Sequence, residues 1–232
     1  DVLANVAHGR YFDPHSVLGT HVGEDSVTIR TVAHLADAVE IITPQGAFPA
    51  THEQDGIWVA VLEGTEIPDY RVRTTYGEET TELDDGYRYL PTVGEFDLYL
   101  ISEGRHEKLW EVLGAHLRTY DTEMGQTKGA SFAVWAPNAQ AVRVVGDFNY
   151  WDGETSSMRS LGSSGIWELF IPNVEIGARY KFEILGPDGN WRQKADPMAR
   201  ACEVPPMTAS VVTDKHHQWE DQEWMEKRAK TN

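Results

Sequence analysis

The sequence has little of what several classes of protein require. Its 232 residues include one cysteine, Cys202, and no Asn-x-Ser/Thr glycosylation acceptor. A single cysteine excludes an internal disulfide, so a reducing, cytoplasmic setting is favoured over secretion. No apolar run reaches the ~18 residues of a membrane span, and the N-terminus lacks the basic-then-apolar layout of a secretory signal. We therefore expect neither a membrane protein nor a secreted one.

The common motifs of catalysis are also missing: a phosphate-binding glycine loop, Gly-x-Ser-x-Gly, Cys-x-x-Cys and His-Glu-x-x-His. The spacing of His8, His15 and His21 fits neither one helix face nor one strand face, which predicts turn histidines rather than metal ligands. Glycoside chemistry needs two carboxylates facing each other across a bond. Sequence neighbours such as Asp84-Asp85 and Glu220-Asp221 rarely do that, so we expect solvated loops there. No catalytic residue, metal or cofactor is predicted.

Positive charge is scarce and unevenly distributed. The net charge is −17, of which residues 1–104, without a single lysine, carry −14 and residues 105–232 carry −3. Such a chain repels phosphate backbones and anionic lipid, which predicts no nucleic-acid or membrane partner. Tryptophan follows the opposite trend, with one in the first part and seven in the second. The two parts are therefore expected to do different work.

An internal repeat organises the chain. Val17–His21 and Val112–His116 share the pattern Val-Leu-Gly-x-His, in which the glycine is expected to be left-handed after a helical turn. Asp13 and Ser102 are the predicted N-terminal caps of those turns. Three further apolar stretches then match in the same order: Ala38–Ile42 with Ala141–Val145, Gly56–Val61 with Gly165–Phe170, and Tyr70–Arg73 with Tyr180–Glu183.

Short period-two stretches between turn signals such as Pro187-Asp188-Gly189 predict an all-β fold of two tandem immunoglobulin-like antiparallel β-sandwiches. We place them at residues 1–104 and 105–214. In the second, Tyr180, Phe182 and Ile184 should face the core and Lys181 the opposite side. The tail 215–232 is predicted to begin a helix at Asp221. Its Trp219 and Trp224 are predicted to form a surface that packs against a part of the protein beyond residue 232.

A loop rich in aromatic and amide groups is the most informative segment. It follows a strand and reads Gly146-Asp147-Phe148-Asn149-Tyr150-Trp151-Asp152-Gly153. An indole stacks on the C–H face of a glucose ring while amides and amines bind hydroxyls, so Trp151, Asn149 and Lys181 are candidate sugar contacts. Trp191, after a turn, is a further candidate. Because tryptophan more often fills cores, three others are interpreted as core or interdomain residues: Trp110, Trp135 and Trp167.

These segments resemble carbohydrate-binding module family 48, the α-glucan-binding sandwich that precedes the catalytic barrel in many glycoside hydrolase family 13 enzymes. The resemblance covers residues 129–213 and depends on four segments together: Phe132–Ala139, Gly146–Trp151, Tyr180–Phe182 and Ala195–Pro197. It implies glucan-contacting roles for Trp151, Lys181 and Trp191. Two departures exist: several residues separate Trp191 from Asp196, and an asparagine near the last strand of binding members is replaced by the Ala209-Ser210 region.

The segment 13–21 is similar to the start of the extra N-terminal sandwich of long-type bacterial glycogen branching enzymes, and 203–210 resembles the stretch that leads into their barrel. Such enzymes cut an α-1,4-glucan and rejoin it as an α-1,6 branch. Their barrel motifs, an Asn-His pair, an Arg-x-Asp and a His-Asp pair, do not occur in this sequence. The resemblance therefore implies a non-catalytic arm, with residues 215–232 a linker into a catalytic barrel, which with α-1,4-glucan is the expected partner.

Two hypotheses remain open at this stage. In the first, the second sandwich binds α-glucan weakly, while the first, expected to have almost no exposed aromatics and to carry Phe48 in the loop equivalent to that of Trp151, binds none. In the second, the chain is a purely structural or protein-interaction arm. Exposure of Trp151 beside Lys181 would favour sugar binding, and burial against the first domain would favour the structural arm.

Overall fold

The computed structural model describes residues 1–214 and 220–230, and these form mainly β-strands. The first part contains α1 (Val2–Ala7), β1 (Gly19–Val22), β2 (Ser26–Val32), β3 (Ala38–Thr43), β4 (Gly46–Pro49), β5 (Thr51–Gln54), β6 (Ile57–Glu63), β7 (Arg71–Tyr76) and β8 (Glu79–Leu83). Two helices follow, α2 (Glu95–Ser102) and α3 (Leu109–Val112). The rest contains β9 (Gly114–Thr122), β10 (Gly125–Trp135), β11 (Ala141–Gly146), β12 (Arg159–Ser160), β13 (Ile166–Pro172), β14 (Arg179–Leu185), β15 (Trp191–Lys194), β16 (Ser210–Val211) and α4 (Gln222–Ala229).

Each part is a sandwich of two antiparallel sheets, which confirms the predicted fold class. In the first, the strand orders are β1-β2-β6-β5 and β4-β3-β7-β8. In the second they are β9-β10-β13-β12 and β11-β14-β15, with β16 also paired to β14. The alternating apolar side chains meet between the sheets: Val27, Ile29, Val39, Ile41, Leu62 and Tyr70 in the first, and Phe132, Val142, Val144, Leu169, Tyr180 and Phe182 in the second.

The internal repeat is confirmed down to local detail. Matched stretches occupy equivalent strands, so that β3, β6 and β7 correspond to β11, β13 and β14. Gly19 and Gly114 have φ of +79° and +93°, the left-handed region expected of them. In both copies the histidine Nε2 lies near the carbonyl oxygen three residues earlier, 3.1 Å for His21 and 2.8 Å for His116.

The predicted caps are only partly right. Ser102 is not an N-cap, because it is the last residue of α2 and its hydroxyl donates to the Leu98 carbonyl oxygen at 2.8 Å. Asp13 does precede a 3₁₀ turn at Pro14–Ser16, but among the described contacts its side chain makes no capping hydrogen bond. Asp221 is the N-cap residue of α4, so the predicted start of that helix is confirmed.

The outer face of the β9-β10-β13-β12 sheet is buried beneath the segment that joins the two sandwiches. Phe170 on this face is 1% exposed, and the Tyr89 ring contacts it at 5.1 Å while stacking on Tyr120 at 4.2 Å. The helices α2 and α3 cover the other end of the face, with Val93, Leu98, Ile101, Leu109 and Leu113 packed around Ala133 and Ile166. Both faces of the sheet are thus buried, and the helices belong structurally with the second sandwich.

The Asp84-Asp85 pair lies in this junction, and its prediction as a solvated loop is wrong. The Asp84 carboxylate accepts a hydrogen bond from Thr127 of the second sandwich at 2.6 Å and pairs with Arg88 at 3.2 Å. Asp85 is 7% exposed and accepts a hydrogen bond from the Tyr70 hydroxyl at 2.6 Å. Buried carboxylates require such donors, and the sequence alone does not show that distant segments supply them.

The tryptophan assignments divide. Trp167 is a core residue as predicted, 3% exposed with its indole N–H donating to the Ala136 carbonyl oxygen at 3.0 Å. The prediction that Trp110 and Trp135 are core or interdomain residues is wrong, since their side chains are 53% and 59% exposed. Trp135 is the last residue of β10 and stands at the rim of the helical cover, beside Leu109 and Met198. At the end of a strand, the alternation of buried and exposed residues no longer determines whether a side chain is buried.

The exposed side chains correct one further expectation. The first part does expose large aromatics, namely Phe12, Tyr76, Phe96 and Tyr99. In the tail, Trp224 is 58% exposed, whereas Trp219 and most of the preceding linker lie outside the described residues. Glu220 is exposed and Asp221 half-buried. No helix among the described residues is long and apolar enough to cross a membrane.

Candidate functional site

The outer face of the β11-β14-β15 sheet brings together several of the predicted contacts. Lys181 pairs with Val145 of β11, and four residues further along β14 Leu185 pairs with Trp191 of β15. Directly paired residues and residues two apart share a face. Lys181 and Trp191 therefore lie on the same outer face, separated by roughly 13 Å at ~3.3 Å per residue.

Trp151 reaches this face from the loop between β11 and β12. Its φ is +60° and that of Tyr150 is +54°, a left-handed turn that costs of order 1 kcal/mol or more per residue. Two hydrogen bonds within the loop hold the residue: its backbone N–H donates to Gly146 at 3.0 Å, and its indole N–H to the Asp147 carboxylate at 3.2 Å. The side chain is half-buried, and both hydrogen bonds are to its own loop rather than to the first sandwich.

A clamp between Asp147 and Arg179 fixes the loop to β14. The Asp147 carboxylate accepts hydrogen bonds from the Arg179 backbone N–H at 2.9 Å and from its guanidinium Nε and Nη2 at 3.0 Å each. These bonds lower the pKa of Asp147. Arg179 stands two residues before Lys181 on the same face of the strand. The clamp consequently links the indole N–H of Trp151, through Asp147, to Arg179 on β14.

The Lys181 ammonium is held but not buried. It donates a hydrogen bond to the hydroxyl of Thr208 at 2.8 Å, and Thr208 is itself exposed. Thr208 adjoins the Ala209-Ser210 region that departs from the family pattern. A lysine retains two further N–H donors after one such bond, so it is available to sugar hydroxyls.

Arg143 is a neighbour of the site that sequence reasoning missed. Its guanidinium carbon lies 3.8 Å from the centre of the Trp191 ring, and it pairs with Glu183 at 3.1 Å. One face of the Trp191 indole is thus occupied, leaving the other face and the ring edge for a ligand. The signal was present, since Arg143 is the single charge in the otherwise apolar β11 and its outward register with Glu183 follows from alternation.

Asn149 is engaged inside the loop. Its side-chain oxygen accepts from the Gly146 N–H at 3.0 Å, and its amide nitrogen donates to the Val144 carbonyl at 2.9 Å and to the Ser156 hydroxyl at 3.0 Å. These bonds shape the turn that carries Trp151. A sugar contact by Asn149, which stays a prediction, would compete with them.

Tyr150 is a second residue that sequence reasoning passed over. It is 98% exposed and directly precedes Trp151 in the left-handed turn. A large aromatic ring so exposed has its whole surface available to a partner. The available signal was its position at the centre of the aromatic segment.

The equivalent place in the first sandwich is differently built. Phe48 does not lie in a loop as expected. It is in β4, pairs with Ile41 and packs half-buried against the core. A hairpin strand there replaces the loop that carries Trp151 in the second sandwich.

Two concave sites among the described residues are lined by residues other than Trp151, Lys181 and Trp191. A cavity of about 230 Å³ between the sandwiches is lined by Tyr87 and Phe148, and a groove of about 380 Å³ lies beside Trp135 and Met198. The candidate face is an open surface by comparison. Such a surface suits a chain-like ligand more than a small enclosed one.

The histidines considered as metal ligands are separated in the structure. His15 packs against the Tyr87 ring at 4.8 Å, and burial, with a contribution from Arg159, lowers its pKa to about 3. His8 instead meets two groups from other segments, His34 and Glu154, with potential ligand atoms within 4.8 Å of one another. Within the described ranges this is the three-residue cluster that has metal-ligand character.

Comparisons with known proteins match two separate stretches of the chain. Residues 1–87 match the family model "alpha-1,4-glucan branching enzyme GlgB, N-terminal domain", and residues 112–199 match "Carbohydrate-binding module 48 (Isoamylase N-terminal domain)". The chain is 50% identical over 227 residues to the 1,4-alpha-glucan branching enzyme GlgB of Rhodococcus jostii, covering 97% of this chain and 31% of that protein. It is 51% identical over 234 residues to the enzyme of the same name from Frankia casuarinae, covering 100% and 29%.

The chain thus spans just under a third of the length of the curated relatives it matches. Among solved structures, pullulanase type I from Bacillus subtilis str. 168, complexed with maltose, aligns at 18% identity with a TM-score of 0.37, covering 87% of this chain and 27% of that one.

Proposed function

We propose that this chain, whose first part matches the GlgB N-terminal-domain model and whose second part matches carbohydrate-binding module 48, is a non-catalytic N-terminal arm of a branching enzyme. In this proposal the outer face of the second sandwich holds α-1,4-glucan. The arm also positions a catalytic domain that makes α-1,6 branches, in the cytoplasm.

The chemistry of the face supports sugar binding. An indole offers flat apolar area to the C–H face of a glucose ring, and Trp151 and Trp191 supply such area at opposite ends of the face. The Lys181 ammonium is on the same face, with N–H donors for hydroxyls. A neutral glucan is also compatible with the negative charge of the chain, because it brings no charge to be repelled.

The single observation that carries the proposal is the Asp147–Arg179 clamp. It links the polar edge of the Trp151 indole, through the Asp147 carboxylate, to Arg179, which lies two residues before Lys181 on the same strand. A stacking surface that is held in place before binding loses little conformational entropy when the ligand arrives. Such preorganisation favours sugar binding over the alternative of an idle loop.

The runner-up is a structural arm that binds no sugar. Two observations favour it: Arg143 covers one face of Trp191, and the sandwiches share a buried polar junction through Asp84 and Thr127. A rigid spacer needs such a junction, whereas a sugar-binding module does not.

Titration with maltoheptaose, followed by isothermal calorimetry and intrinsic tryptophan fluorescence, separates the two functions. We expect weak saturable binding, reduced about tenfold or more in Trp151→Ala, since removing one buried aromatic contact costs ~1.5 kcal/mol or more. Two matched controls, Trp110→Ala on another surface of the second part and Phe48→Ala at the equivalent place in the first, should bind as the parent does.

Circular dichroism first establishes that each variant folds. Absence of binding at millimolar sugar would favour the structural arm. Equal loss of binding in Trp110→Ala would place the sugar on a different surface and remove Trp151 from the proposal.

A further inference from the structure

A cluster of three potential metal ligands lies where the two sandwiches meet, apart from the proposed sugar face. His8 is the C-cap residue of α1, and His34 follows β2, both in the first sandwich. Glu154 comes from the second sandwich, three residues after Trp151 in the same loop. Three segments distant in sequence therefore converge on one point.

The spacing of the ligand atoms fits a small cation. The Nδ1 atom of His8 lies 3.3 Å from one carboxylate oxygen of Glu154, and the Nε2 atom of His34 lies 3.5 Å from the other. Metal–ligand bonds of about 2.1 Å in a tetrahedral site place neighbouring ligand atoms roughly 3.4 Å apart. Each imidazole therefore lies at about this spacing from one of the two Glu154 carboxylate oxygens, and one ligand atom from each of the three residues lies within 4.8 Å of the others.

The two imidazoles are also arranged side by side. Their ring centres are 5.6 Å apart with planes inclined by 17°. The exposed fraction of the side chains is 44% for His8, 26% for His34 and 34% for Glu154. The site is thus open enough for a cation to enter.

One contact competes with a cation, and a second lies beside the site. The His34 Nε2 donates to the Ala7 carbonyl oxygen at 2.8 Å, so metal binding through this atom requires that this hydrogen bond break and that the imidazole carry its hydrogen on Nδ1 instead. The Arg143 guanidinium donates to the His8 carbonyl oxygen at 3.1 Å, but its charge is paired with Glu183. Neither contact blocks the ligand atoms of His8 or Glu154.

We propose that His8, His34 and Glu154 form a binding site for a divalent transition-metal ion, zinc in particular. Two imidazoles and one carboxylate are ligands that Zn²⁺ commonly takes, with a water completing the tetrahedron. A bound ion would tie the Trp151 loop of the second sandwich to α1 and the β2–β3 connection of the first. The inference does not depend on sugar binding.

The test uses the whole chain, freed of metal with EDTA and titrated with Zn²⁺ and, separately, with Co²⁺. Because the sequence also contains the adjacent pair His216 and His217, both are replaced by alanine in every protein compared. We expect one ion per chain, a Co²⁺ absorption spectrum of tetrahedral type, and a rise of about 5 °C or more in the unfolding midpoint at saturating Zn²⁺.

Variants assign the ligands. His8→Ala, His34→Gln and Glu154→Gln should each lower the Zn²⁺ affinity at least tenfold and abolish the rise in the unfolding midpoint; glutamine at 34 keeps a donor for the Ala7 carbonyl. His52→Ala is the matched control, because His52 lies beside the same part of the first sandwich, contacts Trp58 and is outside the cluster.

Unchanged affinity in both His8→Ala and Glu154→Gln would overturn the proposal. So would loss of binding in His52→Ala with retention in His8→Ala, or absence of any stoichiometric binding in the parent.

Discussion

The outer faces of equivalent strands differ in solvent exposure between the two sandwiches. Val61 in β6 and Phe170 in β13 occupy matched positions of the repeat, yet Val61 is 65% exposed and Phe170 is 1% exposed. The strand order around them is the same. The difference arises because residues after β8, among them Tyr89, cover the outer face of the second sandwich around Phe170. The same strand order therefore occurs once with an outer face exposed to solvent and once with an outer face covered by the segment that joins the sandwiches.

A second difference lies in one connection. Between β3 and β5 the first sandwich inserts the hairpin strand β4, whereas between β11 and β12 the second inserts the loop that presents Tyr150 and Trp151. The cores on either side are alike. The two copies thus differ in a connection and in an outer face, while the alternating core residues are retained.

The largest expected effect comes from a variant at the covered outer face of the β9-β10-β13-β12 sheet. Glu168 on β13 is 0% exposed and accepts hydrogen bonds from Arg159 at 2.9 Å and Thr92 at 3.2 Å. Arg159→Met leaves that carboxylate buried without its cation, and we expect a loss of about 3–5 kcal/mol in the free energy of unfolding. Urea unfolding at pH 7 measures it.

Two companion variants show whether the cost comes from the unpaired charge. Arg159→Met combined with Glu168→Leu should recover much of the loss, since it removes both partners. Arg30→Met, which breaks the surface pair with Glu53 in the first sandwich, should cost far less. Similar costs for the two single arginine variants would show that the covered and open faces are energetically equivalent after all.

Sequence reasoning predicted what depends on local pattern. Alternation and turn residues were enough for two sandwiches, for the repeat, and for the left-handed Gly19 and Gly114, because each is decided by near neighbours in the chain. The exposed Trp135 was mispredicted for the opposite reason. Its exposure depends on where the helical cover of β10 ends, which local alternation does not show.

The candidate site divides in the same way. The shared face of Lys181 and Trp191 follows from strand register, and the exposure of the loop carrying Trp151 follows from its position after a strand. The stacking of Arg143 on Trp191, and the buried setting of Asp84, depend on segments tens of residues away. No pattern within a short window of sequence reports such contacts.

Both copies of the repeat contain a hydrogen bond between a buried tyrosine and a buried aspartate. The Tyr70 hydroxyl donates to Asp85 at 2.6 Å, and the Tyr180 hydroxyl to Asp196 at 2.5 Å. In both copies the aspartate also accepts the backbone N–H two residues later, at 2.9 and 2.8 Å. Each pair thus ties the start of β7 or β14 to the segment that follows β8 or β15.

Tyr70→Phe and Tyr180→Phe should therefore be similarly destabilising, by about 1–3 kcal/mol each, because each leaves a buried carboxylate without one donor. Urea unfolding of both variants tests this, with Tyr76→Phe, an exposed hydroxyl of the first sandwich, as a control near zero. A large cost for one pair and none for the other would show that the repeat preserves the geometry of the pair but not its contribution.

The smallest expected effect is a difference between Asp85 and Asp196 in how each makes the free energy of unfolding depend on pH. Burial raises the pKa of Asp85 from 3.8 to about 6, opposed by the donors Tyr70 and Tyr87 and increased by the neighbouring Asp84. Burial also raises the pKa of Asp196, but no second carboxylate adds to it. Asp85 is thus the carboxyl that the junction perturbs more.

Because the folded-state pKa of Asp85 lies above its unfolded value, the folded protein binds more protons between pH 4 and pH 6, and this group favours the folded state less as the pH rises through that window. The part between pH 5 and pH 7 is about 1 kcal/mol. Asp85→Asn, whose amide can still bond Tyr70 and the Tyr87 N–H, should remove this decline, and Asp196→Asn should remove less. Urea unfolding at pH 5 and pH 7 measures both, and an equal change in the two variants would mean that burial alone, rather than the paired carboxylate at the junction, sets the difference between the copies.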